Sequence, residues 1–104
     1  MTVLPTVAIV LKVTVGRGDV DRVLNWYGSV NRFASEPGTV VYVLNRAVGD
    51  DGTFWVYEMF ADDAAFTEHR NGPLAAQFRE LMREVGGVVE STLCAPVWAK
   101  GTGA

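Results

Sequence analysis

The chain has 104 residues, and its nine Lys and Arg against twelve Asp and Glu give a formal net charge of −3. A chain of this length forms a single domain, and the absence of any basic stripe argues against nucleic-acid and anionic-membrane partners. One cysteine excludes an internal disulfide and the metal sites that several cysteines build. We expect one domain over residues 1–104, with its folded core at about residues 7–98.

The sequence indicates neither a secretory signal nor a membrane span. The apolar stretch at residues 7–11 is shorter than the apolar region of a signal peptide, and no basic segment precedes it. No segment approaches the ~20 apolar residues that a spanning helix needs. We therefore expect a cytoplasmic protein without a membrane partner.

The first half of the chain has the patterns of a strand, a helix and a second strand. Residues 7–15 alternate so that one face is wholly apolar, which predicts a strand against a core. Asp19 is suited to cap a helix that continues to about Ser35, shortly before Pro37. Residues 39–47 are rich in β-branched side chains and predict the second strand.

A hairpin is predicted next. Residues 49–52 (Gly-Asp-Asp-Gly) are turn formers, so the strand at residues 53–61 should pair with the strand before it. The third strand is apolar on both faces, with Glu58 as its only charged residue. Asp62 or Asp63 is placed to cap the short helix that follows.

Two glycine-containing breaks delimit the last helix. Asn71-Gly72-Pro73 ends the short helix and begins a longer one, whose apolar stripe stops at Gly86-Gly87. Residues 88–98 predict the fourth strand. Pro96 suits a sheet edge or a strand end, because proline cannot donate to a ladder.

The element order β-α-β-β-α-β predicts an α+β, ferredoxin-like antiparallel sheet with its helices on one face. The strands are apolar on both faces, so the face without helices should pack against a second copy of the chain. Burying ~500 Å² of apolar area per subunit would contribute on the order of 10 kcal/mol before association costs. We therefore predict a homodimer through the sheet faces, and we assign Tyr42, Trp55 and Tyr57 to that face.

The run F-x-V-Y-E-x-F at residues 54–60, then A-D-D-A-A-F-x-E-H at residues 61–69 and a helix after N-G-P, resembles the antibiotic biosynthesis monooxygenase family. The resemblance covers roughly residues 7–98. It implies a dimeric α+β barrel with a pocket between sheet and helices. It also implies that O₂ oxidises a quinol, phenolic or polyketide-like aromatic substrate without a metal, flavin or haem cofactor.

Haem degradation, which one branch of that family performs, does not fit the sequence. That branch has an Asn on the first strand, a Trp on the short helix and a His on the long helix. Leu11, His69 and Phe78 stand at the matching positions, and Phe78 cannot bind iron. We predict no cofactor and no metal.

His69, the only histidine, and Glu58 are the candidate catalytic residues. A neutral imidazole with a pKa of about 6.5 can take a proton from a substrate, and Glu58, if it faces the helices, would orient the imidazole or shuttle the proton. The alternative for His69 is a surface position near a helix C-terminus. For Glu58 we favour the alternative of an ion pair with Arg46 or Lys12, or between subunits.

Six further side chains are candidates for the lining of a pocket that binds a small apolar or aromatic ligand, although each is also suited to an ordinary core. They are Leu11, Val13, Trp26, Tyr27, Phe60 and Phe78.

The sequence thus predicts a homodimeric, cofactor-independent monooxygenase that acts on a quinol, phenolic or polyketide-like aromatic substrate. The alternative is a non-catalytic ligand-binding or stress-related protein on the same scaffold, and no sequence feature excludes it. A third possibility is a regulatory domain of the amino-acid-binding ACT type, which shares the element order. Its ligand would bind at the turn around residues 16–19, which is only loosely similar.

Overall fold

The alternating and helical patterns fold into four strands and three α-helices within residues 4–29 and 36–101, the part of the chain that the computed structural model describes. The elements are β1 (Val7–Thr14), α1 (Val20–Ser29), β2 (Thr39–Arg46), β3 (Thr53–Phe60), α2 (Asp63–Asn71), α3 (Pro73–Val85) and β4 (Val88–Cys94). The strands pair antiparallel in the order β2-β3-β1-β4. This is the predicted ferredoxin-like α+β fold. In the described ranges, every helix is too short or too polar to cross a membrane.

The bounds of two elements differ from the sequence prediction. Asp19 does not cap α1 directly. It closes a short 3-10 turn, Arg17–Asp19, because its N–H donates to the carbonyl of Gly16 at 2.9 Å. β4 ends at Cys94, so Pro96 lies beyond the strand. The predicted end of the first helix near Ser35 lies outside the described residues.

The ends of α2 and α3 follow from their capping residues. Of the two candidate aspartates, Asp62 is the N-cap of α2, and its side chain accepts from the N–H of Ala65 at 2.9 Å. Pro73 occupies the first turn of α3, where its missing N–H has no consequence. Gly86 ends α3 with a φ of 63°, a left-handed conformation that glycine adopts without strain.

The core lies between the three helices and one face of the sheet. Phe54, Val56 and Phe60 of β3 are each 0% exposed and form its centre. Val13 of β1 and Val23 of α1 complete the most deeply buried set. Because side chains alternate along a strand, Glu58 points to the same side of β3 and is 3% exposed.

The opposite face of the sheet is uncovered in the single chain, and it is apolar over much of β2 and β3, with Lys12 and Asn45 beside Trp55. Val43 and Tyr57 pair across β2 and β3 there, with 43% and 48% exposure, and Trp55 lies beside them. The assignment of Tyr42 to this face is wrong, because Tyr42 pairs with Glu58 on the helical side. Both faces of β2 are apolar, so only the hairpin register, which shifts between residues 39 and 41, sets the orientation.

Candidate functional site

Three titratable side chains, from three different segments, meet beneath α2. His69 lies in the last turn of α2, Glu58 on β3 and Glu36 just before β2. His69 Nδ1 lies 2.5 Å from Glu36 Oε1, and His69 Nε2 lies 3.1 Å from Glu58 Oε1. Each ring nitrogen thus has a carboxylate partner, and we call Glu36, His69 and Glu58 the acid–histidine–acid cluster.

The cluster is largely withdrawn from water. The side chains of Glu58, His69 and Glu36 are 4%, 12% and 14% exposed, so Glu58 is the most deeply placed member. Thr39 Oγ1 donates to Glu36 Oε1 at 3.0 Å and orients that carboxylate. Within the described ranges, no group of three or more His, Cys, Asp and Glu side chains is arranged to hold a metal ion.

Opposing effects act on the pKa of His69. Burial, the largest single effect, lowers that pKa because it disfavours the charged imidazolium, whereas the hydrogen bonds and charges of Glu58 and Glu36 raise it. The combined effect of the two carboxylates is larger than that of burial, so the pKa of His69 is raised above its ordinary value of 6.5. In the imidazolium form, Nδ1–H donates to Glu36 and Nε2–H donates to Glu58. The cluster can therefore hold and move protons between a buried and a more peripheral carboxylate.

A cavity of about 150 Å³ lies beside the cluster, between the sheet and the helices. Glu58 and His69 both form part of its wall. Most of the remaining wall is apolar, and its aromatic members are Trp26, Tyr42, Phe66 and Phe78. A planar ring in the cavity would lie against aromatic faces and reach a buried carboxylate.

The predicted lining residues fall into two groups. Leu11, Trp26 and Phe78 border the cavity. Val13 instead lies in the core cluster at 1% exposure, because its position on β1 is past the end of the cavity. Phe60 is fully buried, and its ring centre lies 5.0 Å from that of His69. It therefore packs against the imidazole and does not line the cavity.

Tyr27, also predicted as lining, packs behind the wall rather than in it. Its ring lies 4.9 Å from that of Trp26, and its hydroxyl is 3.1 Å from that of Tyr42. Burial raises the pKa of Tyr27 to about 12 and raises the pKa of Tyr42 as well. Both hydroxyls are therefore protonated at neutral pH and can donate hydrogen bonds.

Glu58 does not form the ion pair that the sequence favoured. Arg46 pairs with Asp51 at 3.7 Å, and Lys12 lies on the uncovered sheet face, with its Nζ 5.7 Å from the centre of the Trp55 ring. The prediction of an Arg46 or Lys12 partner is wrong, because Lys12 lies on the uncovered face, and Arg46, which pairs with Phe54 at the far end of β2, binds Asp51 of the hairpin turn instead.

Sequence reasoning missed Glu36 and the two arginines of the cavity wall, Arg70 and Arg79. Glu36 and His69 are 33 residues apart in the chain, so no local spacing signals their contact. The only sequence signal near Glu36 is the following Pro-Gly, which fixes where the chain turns into β2.

Comparison with known proteins identifies relatives by family and by fold. A sequence model of the antibiotic biosynthesis monooxygenase family matches residues 6–81. No curated protein sequence is significantly similar to the chain.

Solved structures share the fold at low sequence identity. NE2512 of Nitrosomonas europaea, a protein of unknown function, is 21% identical with a TM-score of 0.80, covering 92% of this chain and 93% of its own. A putative antibiotic biosynthesis monooxygenase from Deinococcus radiodurans is 13% identical with a TM-score of 0.79, covering 91% and 96%. SnoaB of Streptomyces nogalater, a cofactor-independent oxygenase, is 20% identical with a TM-score of 0.72, covering 92% and 97%.

Proposed function

The chain belongs to the antibiotic biosynthesis monooxygenase family, and we propose that it oxidises a quinol or related phenolic aromatic with O₂ and without a cofactor. The observation that carries the proposal is a buried carboxylate, Glu58, in the wall of an aromatic cavity and bonded to His69. The structural likeness to SnoaB, a cofactor-independent oxygenase, supports this class of reaction.

The proposed reaction needs one base and a site from which water is excluded. Removal of a phenolic proton makes the ring electron-rich enough to reduce O₂. A new C–O bond then forms at a ring carbon, and the O–O bond breaks with loss of water. A quinol and O₂ thus give a hydroxyquinone and water, with the substrate supplying all the electrons.

We assign the first proton transfer to Glu58. Both nitrogens of His69 are engaged by carboxylates, so the group that can accept a substrate proton at the cavity wall is the Glu58 carboxylate. When Glu58 takes up this proton, His69, which also borders the cavity, can release its own Nδ1 proton to Glu36. Glu36 is a positioning residue in this scheme, since it holds the imidazole from the side away from Glu58.

We also propose that the protein is a homodimer. The uncovered apolar face of β2 and β3 supports this assembly, because a second copy would remove it from water. The cavity lies on the other side of the sheet, so each subunit would keep its own site.

The proposed function is tested by O₂ uptake with a panel of quinols. We expect Glu58→Gln and His69→Ala to lower kcat/KM by about 10²- to 10⁴-fold, the range associated with loss of acid–base catalysis. Glu68→Gln is the matched control, because Glu68 is an exposed residue on α2 next to His69. Mass spectrometry should find a product with one more oxygen and two fewer hydrogens than the quinol.

Two results would contradict the proposal. If neither substitution changes the rate of O₂ uptake, the acid–histidine–acid cluster takes no part in the reaction. Quinols that bind tightly without any O₂ uptake would favour the alternative of a non-catalytic binding protein.

A further inference from the structure

Arg70 and Arg79 lie in the cavity wall on its solvent side, and both are exposed. Arg79 Nη1 donates to the backbone carbonyl of Arg70 at 3.2 Å, which holds its guanidinium over the junction of α2 and α3. Neither guanidinium has a carboxylate partner among residues 4–29 and 36–101. The rim of the cavity therefore carries two positively charged side chains that form no ion pair with a described acidic group.

This arrangement differs from that of three other described arginines, although Arg17 also has no carboxylate partner among the described residues. Arg22, Arg46 and Arg83 each pair with a carboxylate on the surface. The bond from Arg79 to Arg70 caps a helical carbonyl, yet it uses one of the five N–H donors that a guanidinium carries. The other donors remain available to a bound anion, and a guanidinium binds a carboxylate best through two parallel hydrogen bonds.

The cavity limits the size of the ring. A volume of about 150 Å³ is what a benzene-sized ligand occupies in a protein interior. The acceptor carboxylate of Glu58 lies on the sheet, at the buried side, whereas the arginines lie on the helical layer, at the exposed side. A ligand that satisfies both ends has a hydroxyl on one side of a single ring and an anionic group on the other.

Building on the proposed function, we propose that the substrate is a single-ring phenol or quinol that bears a carboxylate. The ring lies in the cavity against Trp26 and Phe78, its hydroxyl faces Glu58, and its carboxylate pairs with Arg70 and Arg79. The arginines select the acid over neutral aromatics of the same shape and add nothing to the proton transfer itself.

The test compares the binding of acids with that of their neutral amides by calorimetry. One pair is gentisate, a quinol with one carboxylate, and gentisamide. The other pair is benzoate and benzamide, which carry no quinol. We expect wild type to bind each acid about tenfold or more tighter than its amide, and added NaCl to reduce this preference.

The double variant Arg70→Gln/Arg79→Gln should bind acid and amide equally, with the affinity for the amides within about twofold of wild type. Arg83→Gln is the matched control, since Arg83 lies one turn beyond Arg79 on α3 and pairs with Glu80. The preference for acids should survive in that variant. Equal binding of acid and amide by wild type would overturn the inference, as would a preference that survives in the double variant, or no binding of any of the four probes at millimolar concentration.

These outcomes are separate from those of the oxygenase test. Benzoate and benzamide cannot be oxidised as quinols, so an arginine-dependent preference for benzoate would stand even if no quinol were turned over. Conversely, suppose that neutral quinols support O₂ uptake while acid and amide bind equally. The proposed oxygenase activity would then stand, and the proposal of an acidic substrate would be rejected.

Discussion

The protonation state of His69 links the stability of the fold to the proposed chemistry. Its imidazolium donates to one carboxylate from each ring nitrogen, and this placement raises its pKa. In that form the ring of His69 holds one proton more than a neutral imidazole would. A substrate proton that reaches Glu58 therefore enters a network that already shares protons.

Stability should depend on pH through His69. A group whose pKa is raised by folding stabilises the protein fully below its unfolded pKa, and the stabilisation is lost as the pH rises through the folded pKa. The unfolded value is 6.5 and the folded value is higher. We therefore expect wild type to be more stable than His69→Gln below pH 6.5, and this advantage in free energy of unfolding to be lost as the pH rises through the raised pKa of His69, as measured by urea denaturation.

A direct titration provides the control for this expectation. His69 is the only histidine, so its ring signals in an NMR titration need no assignment. Glu36→Gln removes one of the two charges that raise the pKa of His69, and the midpoint of the titration should therefore fall. A wild-type midpoint below 6.5, or a midpoint that Glu36→Gln leaves unchanged, would contradict the electrostatic account of the cluster.

The elements hold the cluster together through the placement of α2. Asp62 caps its N-terminus and Gly72 ends it, so the last turn presents His69 to the sheet. At its start, α2 approaches the chain at Gly38 so closely that a Cβ there would overlap the Cβ of Ala65. The carbonyl of Gly38 also accepts from the N–H of Ala61 at 2.9 Å, which ties the entry of β2 to the end of β3.

Gly38→Ala should therefore move α2 away from the sheet. We expect a loss of about 1–3 kcal/mol in the free energy of unfolding, since the new methyl must displace packed atoms. The pKa of His69 should also move toward that of a solvent-exposed histidine as its carboxylate partners separate. Urea denaturation and the NMR titration measure the two effects.

Gly18→Ala is the matched control, because its Cβ would meet no described atom within 4 Å. Its effect should stay within about 0.5 kcal/mol. Equal losses for the two variants would show that the contact between Gly38 and Ala65 does not position α2.

The sequence predicts the elements well because their signals are local. Gly49 to Gly52 turn the hairpin, Asp62 caps α2, and Gly86 ends α3 where residue chemistry alone indicates it. The contact between His69 and Glu36 is different, since it depends on how a helix and a loop far apart in the chain pack together. The side of the sheet that Tyr42 faces was equally hidden, because both faces of β2 are apolar.

The two faces of the sheet have different surroundings in the molecule as a whole. One face of the sheet, with the helices, encloses the core and the cavity. The other presents Val43, Tyr57 and Trp55 to solvent in the single chain. A sheet with a solvated face would alternate with polar residues, so this face is suited to contact between two copies.

A charge at the centre of this face should dissociate the proposed dimer. We expect wild type to sediment as a dimer at micromolar concentration, and Tyr57→Glu to raise the dimer Kd by at least about 30-fold, because the contact would bury an unpaired carboxylate. Val48→Glu is the matched control, since Val48 is fully exposed in the turn after β2 and lies off the sheet face. Analytical ultracentrifugation across a concentration series makes the measurement. A wild-type monomer, or equal dissociation by both variants, would show that the uncovered face does not join two copies.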